Sequence, residues 1–155
     1  MPENDDSPSA LDTQKLWARL FKAPSVDTYL HKHDNEMIRI PFAEYITALC
    51  AARGEAAERI IKRAGLERSF GHQLFRGTRN PSRDTVLQLA FGFECDVQGA
   101  QVLLQHARHS PLYPRIPRDA AISYCLEYKY SFLEAQHMLA ELALPALGSN
   151  GGNKK

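Results

Sequence analysis

The chain has 155 residues, of which 44% are apolar and 24% are charged, and its formal net charge is +1. This length suits one domain with short appendages, and the apolar fraction is sufficient for a core. No stretch approaches the roughly eighteen consecutive apolar residues of a membrane span, and MPENDDSPSA lacks the apolar run of a secretory signal. The sequence therefore predicts a cytoplasmic protein without membrane contact.

The three cysteines form no disulfide or metal-binding pattern. Cys50, Cys95 and Cys125 are scattered, each within an apolar-rich helical pattern, and no two of them make a C-x-x-C pair. A free cysteine in this setting behaves as a small hydrophobic side chain. We therefore expect three buried thiols in a protein of a reducing compartment.

Charge is unevenly distributed along the chain. Residues 1–40 carry five basic and seven acidic side chains, whereas residues 53–84 carry eight basic and four acidic ones. The eight basic residues are Arg53, Arg59, Lys62, Arg63, Arg68, Arg76, Arg79 and Arg83. Such a local excess favours an anionic partner, although charges spread over amphipathic helices are also typical of a solvated face.

The first 40 residues divide into a tail and a helical segment. Residues 1–9 are polar and lack apolar periodicity, which predicts disorder. Over residues 10–40, LDTQKLWARLFK has an apolar helical face, and Ser25 is the predicted N-cap of a second helix. An N-terminal helical segment is therefore expected ahead of the main domain.

Five helices are predicted over residues 41–109, where apolar residues recur at helical spacing. Their boundaries are marked by Pro41, Gly54, Gly65 and Gly77, and by the N-cap residues Ser82 and Asp96. The third helix is short, covering about residues 67–76. One glycine turn therefore precedes this helix, and another follows it.

Residues 110–147 form a proline-rich connector and a helical hairpin. SPLYPRIPRD has three prolines in ten residues and interrupts the helical run. Helical periodicity then returns, and Ser131 with Glu134 makes the S-x-x-E pattern of a capping box. GSNGGNKK, residues 148–155, is a second predicted disordered tail. With seven to nine helices and no strand, the predicted class is all-α.

The central stretch resembles a known family. It combines the Gly65-Leu66 turn between two helices, a twelve-residue step to Gly77, and the run R-G-T-R-N-P-S leading into a leucine-rich helix. Over about residues 42–97 it resembles the phage-repressor and Cro type of helix-turn-helix protein, the xenobiotic-response-element family of regulators. The resemblance implies a repressor-like five-helix domain, here with added N-terminal helices and a C-terminal hairpin, and sequence-specific DNA binding in transcriptional regulation.

In such a domain the third helix enters the major groove. A left-handed glycine turn, here at Gly65, lets that helix leave the preceding one at a steep angle. The residues implied to contact bases are Arg68, Ser69, His72 and Gln73. Those implied to contact phosphates are Arg76, Thr78, Arg79 and Arg83, together with free backbone N–H groups of the turn at Gly77.

Several positions depart from the family's pattern. Alanines 56 and 57 replace the polar residues usual at the start of the second helix. Ile61 stands where the family has a tightly packed alanine, and Gly71 where it has a buried aliphatic residue. Glu67 brings negative charge to a surface that would face phosphates. An alternative hypothesis follows: a protein-interaction or adaptor module on a helix-turn-helix scaffold that no longer binds DNA.

The sequence indicates no catalytic site, metal site or cofactor. It has no nucleophile elbow, H-E-x-x-H motif or glycine-rich phosphate loop, and HKHD at 31–34 places its histidines on different helix faces. The expected partners are double-stranded DNA and a second copy of the chain, because two-fold pairing doubles the DNA contact. The apolar stripe of residues 131–147 is open to two interpretations, packing on its own domain or forming a dimer seam. The C-terminal hairpin is also a candidate site for a protein partner.

Overall fold

A computed structural model describes residues 13–34, 37 and 40–148. Within these ranges the chain forms nine helices and no strand, which confirms the all-α prediction. The helices are α1 (Thr13–Lys22), α2 (Val26–Lys32), α3 (Phe42–Arg53), α4 (Ala57–Arg63), α5 (Arg68–Arg76), α6 (Arg83–Gly92), α7 (Val97–His106), α8 (Pro117–Glu127) and α9 (Phe132–Glu141). Both predicted tails lie outside the described residues, except for Gly148.

The chain divides into two compact units, Met1–Arg39 and Ile40–Lys155. The first contains α1 and α2. As predicted, Ser25 caps α2, its hydroxyl accepting a hydrogen bond from the Thr28 N–H at 3.1 Å. On α1, the rings of Trp17 and Phe21 stack with their centroids 5.6 Å apart.

In the second unit, polar residues at helix starts confirm the predicted caps. Ser82 and Asp96 accept hydrogen bonds from N–H groups of the first turns of α6 and α7, at 3.1 and 2.9 Å. Ser131 and Glu134 form the capping box of α9. Each cap satisfies a backbone N–H that has no partner within its helix.

Side chains from all seven helices of the second unit, α3 to α9, form its core. Helix α4 packs against α5 and α6, while α7 contacts α3, α6 and α8. The largest fully buried side chains are Phe93, Ile46, Ile60, Ile61, Leu74, Leu87, Leu89, Leu103, Leu104, Ile122, Leu126 and Leu139. The cysteines are free and buried, as predicted.

The close approach of α4 and α5 depends on a large residue facing a glycine. A Cβ placed on Gly71 would lie 2.4 Å from Cγ2 of Ile61, so the space beside Gly71 is already filled. Positions 61 and 71 are thus complementary: Ile61 supplies the volume that Gly71 lacks. This close packing sets α5 against the core.

The hairpins α6–α7 and α8–α9 repeat one sequence pattern at a spacing of 35 residues, the difference between positions 83 and 118. Arg-Asp at 83–84 recurs at 118–119, and Ala-Gln at 100–101 recurs at 135–136. The backbone repeats as well, since Glu94 and Lys129 are left-handed with φ of 57° and 62°. The two hairpins are therefore copies of one structural unit.

Equivalent glutamines close each copy in the same way. The Gln101 side chain donates to the Leu112 carbonyl at 3.1 Å and accepts from the Leu112 N–H at 2.8 Å. Gln136 makes the same two bonds to Leu147, at 3.1 and 2.8 Å. The segment after each hairpin is thereby fixed to the hairpin's second helix.

Two Arg–Asp pairs join the copies reciprocally. Arg83 donates two hydrogen bonds to Asp119, at 3.1 and 2.9 Å, and Arg118 donates two to Asp84, both at 2.9 Å. Asp84 and Asp119 are only 5% and 2% exposed. Reciprocal contacts between equivalent residues are the pattern of two-fold pairing. The hairpins thus pair within one chain as two subunits do in a dimer.

The same carboxylates hold the segments that follow each copy. Asp119 accepts the Tyr113 N–H at 3.0 Å, and Asp84 accepts the Gly148 N–H at 2.8 Å. Gly148, the first residue of the predicted tail, is therefore anchored to α6. The proline-rich connector is fixed in the same manner.

Candidate nucleic-acid interface

Helix α5, the candidate recognition helix, begins at a carboxylate cap. Glu67 accepts hydrogen bonds from the N–H groups of Ser69 at 3.2 Å and Phe70 at 2.8 Å. Its negative charge therefore lies at the positive end of the helix dipole, where it is favourable. The sequence alone indicates only that the charge of Glu67 is unfavourable for DNA binding, since glutamate is not among the strongly preferred N-cap residues.

The two faces of α5 differ as helical periodicity requires. Phe70, Gly71 and Leu74 are buried against the core. At about 100° per residue, the predicted base-contacting residues and Arg76 fall within about 140° on the opposite side. Four of the predicted site residues, together with Glu67, line one surface depression; they are Arg68, Ser69, His72 and Arg76. Gln73 is half-buried and outside that lining.

Arg68 forms an ion pair across the turn between α4 and α5. Its Nε donates to a carboxylate oxygen of Glu58, and the Arg68 side chain is 74% exposed. Exposed pairs of this kind contribute about 0–1 kcal/mol, so a competing anion can displace Glu58 at little cost.

The turn after α5 uses its N–H groups to close the helix. Gly77 is left-handed, with φ of +82°, and its N–H points to the carbonyls of Gln73 and Leu74. The Thr78 N–H donates to the Gln73 carbonyl at 3.1 Å. These two N–H groups are therefore not free, and the expectation that the turn offers them to phosphates is wrong for this pair.

The arginines after the turn have different surroundings. Arg76 is exposed. Arg79 is half-buried, its guanidinium carbon lying 5.4 Å from the centroid of the Phe70 ring. This cation–π contact holds the arginine stem against α5 while leaving donors on its guanidinium.

Arg83 makes its hydrogen bonds to residues outside this surface. Besides its two bonds to Asp119, it donates to the carbonyls of Ser110 and Pro111, both at 3.0 Å. Its three guanidinium nitrogens are thus all engaged within the chain. The structure gives Arg83 the role of anchoring the connector, which replaces the phosphate-contacting role expected from sequence.

The glycine turn before α5 is covered by the C-terminal hairpin. Gly65 is left-handed, with φ of +73°, and a Cβ there would lie 2.3 Å from the Phe132 ring. Only glycine satisfies both the backbone angle and this contact. No local sequence signal links two residues so far apart, so sequence reasoning missed Phe132.

Among the described residues, no group of three or more His, Cys, Asp or Glu side chains is arranged to hold a metal ion. No helix in the described ranges is both long enough and apolar enough to span a membrane. Comparisons with family models, curated proteins and solved structures found no significant match to the chain.

Proposed function

We propose that this protein is a cytoplasmic, sequence-specific DNA-binding transcriptional regulator of the helix-turn-helix type. In this proposal α4, the Gly65 turn and α5 form the motif, and α5 enters the major groove. Arg68, Ser69, His72 and Gln73 meet base edges, while Arg76, Thr78 and Arg79 meet phosphates. The observation that carries the proposal is the outward face of α5, on which polar and basic residues share one depression.

The charge arrangement around α5 supports this reading of the surface. Arg68 and Arg76 are exposed there, and Arg79 is held against Phe70 of the same helix. Two carboxylates accompany these cations: Glu67 in the depression accepts two N–H bonds of the helix start, and Glu58 pairs with the exposed Arg68. An approaching phosphate therefore meets cations whose neighbouring negative charge is partly offset.

We also propose that the protein acts as a homodimer, because one small domain contacts only a few base pairs. Exposed apolar side chains on the second hairpin copy suit such pairing. The rings of Tyr124 and Tyr128 lie 4.7 Å apart, and these residues are 52% and 64% exposed. The same aromatics favour the second candidate function, a protein-interaction module that does not bind DNA.

Selection of bound duplexes from a random DNA pool separates the two candidates. A regulator will enrich a defined sequence, and its affinity for that sequence will fall steeply as salt rises, because counterions are released from phosphates. An interaction module will enrich no sequence at any salt concentration. Sedimentation of the bound complex will then show whether one or two chains occupy the selected site.

Gln73→Ala should relax base preference without weakening general affinity. A glutamine that reads adenine in a bidentate manner discriminates by about 1–3 kcal/mol against other bases. Competition between the selected site and its single-base variants will therefore show reduced discrimination at one or two positions. Unchanged discrimination with unchanged affinity would remove Gln73 from the reading surface.

Arg76→Ala should weaken binding to all DNA sequences about equally and reduce the salt slope by about 1. The matched control is Arg115→Ala, which removes the same charge from an exposed position of the connector. Titration at several salt concentrations will distinguish the two variants. Equal effects of both would indicate that net charge, and not contact at α5, governs affinity.

A further inference from the structure

A cleft in the second unit lies on the side of the fold where the two hairpin copies meet α3 and α4. Its volume is about 590 Å³, within the range of small-molecule sites. Its lining includes the cations Arg53, Lys62, Arg63 and Lys129 and the apolar residues Phe132 and Leu133. The cleft is separate from the depression on α5, with which it shares no lining residue.

Equivalent turns of the two copies face each other at this cleft. Glu94 follows α6 and Lys129 follows α8, and the Lys129 ammonium donates to the Glu94 carbonyl at 2.9 Å. The equivalent residues Phe91 and Leu126 both contribute to the lining. The internal two-fold pairing therefore creates a concave surface between two like elements.

Positive charge predominates around the cleft. Four lining residues are cationic, and two, Glu94 and Glu134, are acidic. Arg53 and Lys129 donate to neutral backbone carbonyls. Arg63 pairs with Glu55, which lies outside the lining, and its Nε is also 3.8 Å from a carboxylate oxygen of Glu94. The balance stays positive even when Glu55 is counted, so the cleft favours an anion.

The uncharged part of the lining is mostly apolar. Leu133, which is 62% exposed, and the half-buried Phe132 supply its accessible apolar surface, and the buried Phe91 and Leu126 lie at its inner end. Burial raises the pKa of the Cys95 thiol to about 11, so this sulfur is uncharged at neutral pH. An apolar surface bordered by cations matches a ligand with an apolar body and one anionic end.

We propose that this cleft binds a small amphipathic anion, an aromatic or aliphatic carboxylate. The carboxylate lies between Lys62 and Lys129, and the apolar body lies on Phe132 and Leu133. The ring of Phe132 also covers Gly65, the turn before α5. A ligand that contacts Phe132 therefore acts on the turn that positions α5. Its effect on DNA binding rests on the proposed function.

The site can be tested with 2-naphthoate as the probe, measured by calorimetry on the full chain without DNA. Leu133→Glu and Leu133→Lys remove the same exposed apolar side chain but place opposite charges at the cleft. The lysine variant will bind 2-naphthoate about fivefold or more tightly than the glutamate variant, and a naphthylmethylammonium probe will show the reverse order.

A second pair of variants tests the cationic side of the cleft. Lys62→Gln will weaken 2-naphthoate binding about threefold or more, whereas Arg59→Gln, a charge loss on the same helix outside the lining, will leave it unchanged. Absence of naphthoate binding to the parent, equal affinity of the two Leu133 variants, or equal effects of the two α4 variants would each overturn the site. Because no DNA is present, these outcomes leave the DNA-binding proposal standing, and failure of that proposal leaves this site standing.

Discussion

Arg118→Ala will lower the free energy of unfolding by about 3–5 kcal/mol, because it leaves the Asp84 carboxylate buried without its charged partner. The two side chains are 18% and 6% exposed, and their bidentate bonds are both 2.9 Å long. Arg118 also donates to the carbonyls of Pro145 and Ala146, at 2.9 and 2.8 Å. Its loss therefore also removes two of the hydrogen bonds that hold the segment after α9.

The control for this change is Arg115→Ala, an exposed arginine of the same connector. Surface substitutions of this kind usually stay within about 0.5 kcal/mol. The double variant Asp84→Leu with Arg118→Met removes both charges together and should cost much less than the single change. Urea unfolding of all three variants will measure the differences. A single variant as stable as the parent would contradict a structural role for the pair.

Low pH should break the same Arg118–Asp84 ion pair. Burial works to raise the pKa of Asp84, but bonds from the Arg118 guanidinium and the Gly148 N–H, with the nearby arginine charges, hold it below its ordinary value of 3.8. A carboxyl with a lowered pKa stabilises the fold fully above the unfolded-state value and loses that contribution as pH falls to the folded-state value. Below about pH 4 the parent should lose stability faster than Arg118→Ala, in which this pair is already broken.

The reciprocal pairs illustrate what local sequence cannot provide. Arg83 follows Ser82 at a helix start, and nothing within a few residues of it distinguishes a surface cation from half of a buried ion pair. Its partner Asp119 lies 36 positions later. The signal that could have identified the pairing is the recurrence of Arg-Asp, Ala-Gln and Leu at one constant spacing, which is visible only when the two segments are aligned.

Signals confined to one helical turn were more informative. Capping residues at Ser82, Asp96 and Ser131 satisfy N–H groups within three residues, so the sequence alone predicts where these helices begin. The outward face of α5 was predictable for the same reason, since it follows from a period of about 3.6 residues. The hydrogen-bond partners of the Gly77 and Thr78 N–H groups depend on how α5 ends. The position of the glycine in the sequence does not determine this.

Combining Ile61→Ala with Gly71→Leu will restore the stability that each single change removes. Ile61→Ala leaves a cavity between α4 and α5 and should cost about 2–5 kcal/mol. Gly71→Leu improves helix propensity by about 1 kcal/mol, but its side chain must enter space that Ile61 fills, and overpacking of this kind costs about 1–3 kcal/mol. The atoms nearest to a Cβ at Gly71 all belong to Ile61.

In the double variant the leucine enters the volume that the isoleucine vacates, so that the small residue lies on α4 and the large one on α5. Its unfolding free energy should lie within about 1.5 kcal/mol of the parent's, the range for volume-conserving changes. The matched control pairs Gly71→Leu with Ile60→Ala. Ile60 is equally buried on α4 but lies beside Gly92 of α6, so these two costs should add.

Denaturant unfolding of the parent, the three single variants and the two double variants gives a coupling energy for each pair. A coupling of about 2 kcal/mol or more for Ile61 with Gly71, and near zero for Ile60 with Gly71, is expected. If both pairs prove additive, the α4–α5 contact does not depend on this exchange of volumes. The position of α5 would then have to come from its other buried residues, Phe70 and Leu74, and from the contact of Phe132 with Gly65.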